Sequence, residues 1–94
     1  MKSSEFADFL EWAFSNDAPY QFDYEKGGKI RYFDLLANAA NGFCTKPMDK
    51  VLKRTFDTWC ESEGLKWRCR FTGYVEIVGG KAKMRFRVYK ARMA

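Results

Sequence analysis

Residues 66 to 90 constrain this chain most, because their hydrophobic pattern has one good solution. Trp67, Cys69, Phe71, Val75 and Ile77 alternate with Lys66, Arg68, Arg70, Thr72, Tyr74 and Glu76, the period of two of a half-buried strand. Gly79-Gly80 then offers the positive φ of a tight two-residue turn. Beyond it Ala82, Met84, Phe86 and Val88 alternate with Lys81, Lys83, Arg85, Arg87 and Tyr89. A hairpin with the two glycines as its whole loop sets Ile77 against Ala82, Val75 against Met84 and Phe71 against Val88 on one face. Glu76 meets Lys83 on the other, a favourable cross-strand pair. A one-residue slip would turn every apolar side chain to water, so the pattern predicts the register as well as the hairpin.

The apolar face needs helices over it, since an isolated hairpin is marginal in water. The opposite face gathers Arg68, Arg70, Lys83, Arg85 and Arg87, with Glu76 against them and Lys81 at the turn. A row of charge also serves simply to keep an open face soluble. Arginine predominates here, however, and Tyr74 and Tyr89 are interleaved, a combination suited to phosphate forks and to stacking. An anionic partner is therefore expected.

Ninety-four residues suggest one domain spanning 1–94, which at this size buries roughly 60 to 65% of its unfolded surface. Its nine Phe, five Tyr and three Trp compensate with large side chains. No apolar run reaches membrane length and no secretory pattern opens the chain, so a soluble, cytoplasmic protein without membrane contact is expected. Three cysteines without CxxC spacing argue against a disulfide framework or a zinc ribbon. Cys60 and Cys69 fall on apolar faces as small hydrophobes, and Cys44 falls in a loop, where a thiol is free to react. The net charge of +5 is uneven, −3 over residues 1 to 42 and +8 over 43 to 94, which suggests a basic surface on one side and an acidic one on the other.

Catalysis finds little footing. With no histidine, the commonest general base and histidine metal sites are excluded. The pairs Asp23/Glu25 and Asp57/Glu61 read as solvated surface, and neither Gly-Gly-Lys segment has the spacing of a phosphate loop. Neither an enzyme, a metal site nor a cofactor is expected.

Taken in order, Ser3 or Ser4 is placed to cap a helix with Glu5 and Asp8 in its first turn. Phe6, Phe9, Leu10, Ala13 and Phe14 form its apolar stripe, Trp12 sits at the rim, and Asn16-Asp17-Ala18-Pro19 ends it. Residues 20 to 25 alternate as a short strand, and Gly27-Gly28 makes a turn. From Ile30 or Arg31 the spacing of Tyr32, Phe33, Leu36, Ala37 and Ala40 predicts a second helix with Gly42 as its stop. A third is expected over 46–63, burying Met48, Val51, Leu52, Thr55, Phe56 and Trp59 and ended by Gly64. Lys46, Lys50, Lys53 and Arg54 lie on its other side, with cations early and Glu61 and Glu63 late. That order opposes the helix dipole and would suit a phosphate partner.

Helix, short strand, helix, turn, helix and basic ribbon is an order that resembles the winged-helix variant of the helix-turn-helix. The resemblance covers almost the whole chain and rests on element order and charge placement. It implies an α+β fold of three helices packed on a small antiparallel sheet dominated by the long C-terminal hairpin. It also implies DNA binding, with Lys50, Lys53 and Arg54 on the recognition helix and Gly79, Gly80 and Lys81 at the wing tip. An α+β domain whose ribbon binds alone is the other architecture considered. Two functions follow. The first is a small nucleic-acid-binding regulator or replication accessory, acting on duplex DNA rather than RNA. The second is a non-catalytic, phage-type inhibitor or docking module whose ribbon meets an acidic protein surface. Either is compatible with a homodimer.

Overall fold

The computed structural model describes residues 1–14, 20–38 and 46–92, with the side chains of 38 and 46–49 left aside. Its elements run α1 (Ser3–Ala13), β1 (Gln21–Tyr24), β2 (Tyr32–Asn38), α2 (Lys46–Ser62), β3 (Trp67–Val78) and β4 (Lys81–Lys90). The four strands form one antiparallel sheet in the order β1-β2-β4-β3, and both helices pack on the same face of it. The expected α+β class holds, but the three-helix arrangement does not.

The correction lies in β2. Residues 32 to 38, expected to be helical, are instead a strand paired with β1 on one side and β4 on the other. Phe33, Leu35 and Ala37 are buried in the core, while Tyr32, Asp34 and Leu36 take the opposite face. Over so short a run the same residues satisfy a period of 3.6 and a period of 2. Ladder hydrogen bonds to two neighbours decide the matter, because a central strand leaves none of its backbone groups to water. Ala40, Gly42 and Cys44 fall outside the described residues, as does the 16–19 stop; α1 has already ended at Ala13.

Phenylalanines hold the layers together. Phe33 of β2 stacks on Phe86 of β4 with centroids 5.2 Å apart, Phe6 of α1 lies 4.6 Å from Phe33, and Phe9 meets Phe56 of α2 edge-on at 5.0 Å. Such pairs add to the area term by about 0.5–1.5 kcal/mol each. The cap of α1 is Lys2, whose N–H donates to the Glu5 carboxylate at 2.9 Å. Ser3, expected as a cap, instead accepts from the N–H groups of Gly27 and Gly28, tying the glycine turn to the helix. Leu52, Phe56, Trp59 and Cys60 make the buried stripe of α2. Val51, expected among them, is 58% exposed, since the residue before Leu52 points about 100° away around a helix of 3.6 residues per turn. Gly64 (φ 68°) ends α2 as expected, with the Leu65 N–H returning to the Cys60 carbonyl at 2.8 Å.

The hairpin forms with Gly79 and Gly80 both at positive φ and with the expected pairs Ile77–Ala82, Val75–Met84 and Glu76–Lys83. Phe71, however, faces Phe86 rather than Val88, because a bulge between Phe71 and Val75 shifts the register. Gly73 at φ 88° turns the chain there. The shift is two residues, so the alternation of faces survives it. Among the described residues no helix is long and apolar enough to cross a membrane.

Candidate functional site

Strand alternation sends Tyr32, Asp34 and Leu36 of β2, Lys83, Arg85, Arg87 and Tyr89 of β4, and Arg68 and Arg70 of β3 to the face opposite the helices. This is the basic face expected from the sequence, and it has two parts. Around its middle Asp34, only 7% exposed, accepts from Arg85 Nε at 3.0 Å and lies 3.5 Å from Lys83 Nζ. A carboxylate so enclosed needs charged partners, and it takes up both cations. Arg85 also lies over the Tyr74 ring, 5.3 Å from its centroid. Tyr74 donates its hydroxyl to Glu76 at 2.8 Å, a bond that raises the hydroxyl's pKa and keeps it a donor.

Other expected contact residues are similarly engaged. Lys81 donates to the side-chain oxygen of Gln21 at 2.6 Å, and Arg68 pairs with Glu61 of α2 at 3.0 Å. Lys53 donates to Asp57 and to the Cys69 carbonyl, both at 2.9 Å, and approaches the Tyr89 hydroxyl at 3.4 Å. Burial works to lower the pKa of this ammonium, but the hydrogen bond and charge of Asp57, helped by Tyr89, raise it above its ordinary value. Lys53 thus fastens α2 to the edge of the sheet. Lys50 and Arg54 are exposed on α2, where they line a cleft together with Asp57 and Glu61, apart from the sheet cations.

The remaining part is different. Arg70 and Arg87 stand directly opposite each other, and among the described residues neither has a hydrogen-bond or ion-pair partner. Like charges placed so oppose the pairing. They line a cleft of about 440 Å³ with Tyr89, Lys90 and Arg92. A second cleft of about 430 Å³ shares Arg87, Tyr89 and Lys90 and adds Lys29, Arg31 and Tyr32. The backbone positions these additions. Ile30 N–H donates to the Met1 carbonyl and Val88 N–H to the Arg31 carbonyl, both at 2.7 Å, which lays residues 29 to 31 along the end of β4. Six cations therefore surround this end of the sheet, and among the described residues no carboxylate lines either cleft.

Sequence reasoning singled out Arg70, Arg87 and Tyr89 but missed Lys29, Arg31, Tyr32, Lys90 and Arg92. Lys90 and Arg92 do continue the basic tract of β4, and that signal was legible. Arg31 and Tyr32 were concealed by the helical reading of their segment, and Lys29 by its place beside the Gly27-Gly28 turn. Among the described residues no group of three His, Cys, Asp or Glu side chains comes together as a metal site. Cys60 and Cys69 are buried, and burial pushes the Cys60 thiol up to about 12 and raises that of Cys69, the reverse of an activated nucleophile. Compared with protein-family models, curated proteins and solved structures, the chain matches none.

Proposed function

We propose that this protein is a small nucleic-acid-binding regulator or accessory factor that grips the phosphate backbone with the basic end of its sheet. One observation carries the reading: Arg70 opposes Arg87 without an acid between them, amid Lys29, Arg31, Lys90 and Arg92. Elsewhere on the same face each cation has found a protein partner, so the unpaired set marks where an outside anion is wanted. Arginine suits phosphate because its planar fork matches two oxygens at once.

The test is binding of labelled DNA across a salt series. If all six cations neutralise phosphates, log affinity should fall against log salt with a slope of roughly −4 to −5, from about −0.7 to −0.9 per contact. Replacing Arg70 and Arg87 together with Ala should reduce the magnitude by about 1.4 to 1.8 and, by removing a like-charge pair, leave the protein at least as stable. No binding at low salt, or tight binding indifferent to salt, would overturn the proposal.

A further inference from the structure

We infer, resting on the nucleic-acid reading above, that the ligand is single-stranded and that Tyr32 and Tyr74 are the platforms on which its bases stack. Three features of the sheet lead there. First, the hairpin is not a projecting arm: β4 is paired with β2 from Lys81 to Arg87 while it pairs with β3 on its other edge. Four strands at about 4.8 Å spacing span roughly 14 Å before side chains are added, wider than the ~12 Å major groove into which a two-stranded ribbon fits. This face can meet a duplex only from outside, at its phosphates.

Second, the face carries aromatic rings where a strand lying along β4 would place its bases. Tyr32 is 49% exposed and sits beside Arg87, which sits beside Arg70, so that one row across three strands reads aromatic, cation, cation. Tyr74 is 46% exposed at the bulge on the far side of β4. β2 and β3 flank β4, so the two tyrosines stand on either side of the arginine track, Tyr32 level with Arg87 and Tyr74 beside Arg85. Third, the Tyr74 ring is held, by Glu76 at its hydroxyl and by Arg85 at its face, while the backbone of Tyr32 is set by its pairing with Arg87 and by the neighbouring Arg31–Val88 hydrogen bond. An ordered ring loses little entropy when a base lies on it, and stacking tolerates any base. A duplex, its bases already stacked on each other, gains nothing from such rings.

Fluorescence anisotropy would compare a labelled oligothymidine, a mixed-sequence duplex and inorganic polyphosphate, a polyanion with no bases. The single strand should bind at least tenfold tighter than the duplex. Tyr32→Ala and Tyr74→Ala should each weaken it by about tenfold, within the range expected for one stacked base, while Tyr32→Phe keeps it and Tyr74→Phe, which retains the ring but not its bond to Glu76, keeps most of it. None of the four should alter polyphosphate binding. Equal affinity for duplex and single strand, or alanine variants that bind oligothymidine normally, would overturn the stacking inference and leave the nucleic-acid reading standing. Failure of all three probes at low salt would instead remove that reading. Since Tyr74 adjoins the bulge, the intact melting curve of Tyr32→Ala keeps the test decisive if Tyr74→Ala disturbs the hairpin.

Discussion

The two halves of the β3–β4 hairpin, divided by the bulge at Gly73, handle packing and charge in opposite ways. In the half containing Trp67–Phe71, Cys69 and Phe86 are fully buried, and α2 reaches the outer edge of the strand. There the Lys53 ammonium donates to the Cys69 carbonyl at 2.9 Å and the Asp57 carboxylate accepts its N–H at 3.4 Å. In the half ending at Gly79-Gly80 the core-facing side chains of β3 lie open, Ile77 at 65% exposure, although Ala82 and Met84 across from them are buried. Charges follow the reverse distribution. The well-packed half leaves Arg70 and Arg87 unpaired, whereas in the open half Lys83 and Arg85 meet Asp34, and Lys81 meets Gln21. A like-charge cross-strand pair costs of order 0.2–1 kcal/mol, and burying a phenylalanine contributes about 1.5–3. Unpaired cations are thus carried where packing can sustain them.

This contrast is most easily broken by truncation. Phe86→Ala should lose about 3–5 kcal/mol in denaturant unfolding, against less than about 1 for Ile77→Ala in the open half. Equal losses would show that the two halves do not differ in packing. Next in size is Asp34→Asn, which removes the acid that holds Lys83 and Arg85. It should cost about 1–3 kcal/mol of stability and yet strengthen DNA binding, with a salt slope steeper by up to about 1.8 as two cations become available. A variant that binds more weakly would mean that the paired cations, not the free ones, make the contact.

Gly73→Ala addresses the divide itself. Open space surrounds the position, so the expected loss of about 1–2 kcal/mol comes from the positive φ alone, and a calorimetric melt measures it. The last effect concerns the buried thiols and grows with pH. Cys60 and Cys69 have raised pKa values in the folded protein, so the unfolded chain ionises first as pH rises. Stability should be intact below pH 9.0, the ordinary thiol value, and fall progressively from there toward about 12, by up to about 1.4 kcal/mol per unit for each thiol. Urea midpoints at pH 8 and pH 10 would show the fall, and Cys60→Ala should make it shallower.

Much of this molecule could be read from its residues, and the failures have physical causes. The hairpin, its glycine turn and α2 were legible because each has a long periodic run and a terminating glycine. The bulge was signalled by Gly73, which interrupts the alternation between Phe71 and Val75. β2 was not legible, because Phe33, Leu36 and Ala37 fit a helix while Phe33, Leu35 and Ala37 fit a strand, and only its neighbours in the sheet choose between them. The functional face suffered in turn. Asp34, placed on a helix, gave no hint that it would occupy Lys83 and Arg85, nor Tyr32 that it would stand beside Arg87.

The pairing of β2 with β4 also bears on how quickly this chain reaches its native state. Tyr32 must find Arg87 across the whole of α2 and β3, whereas the β3–β4 hairpin closes through two glycines. Local hairpins form in about 1–10 μs, but distant strands pay a loop-closure entropy before any contact rewards them. The join is made between an acidic half and a basic half, and it brings Asp34 onto Arg85. Opposite charge therefore favours the encounter that topology makes slow, so added salt should retard refolding more than it accelerates unfolding.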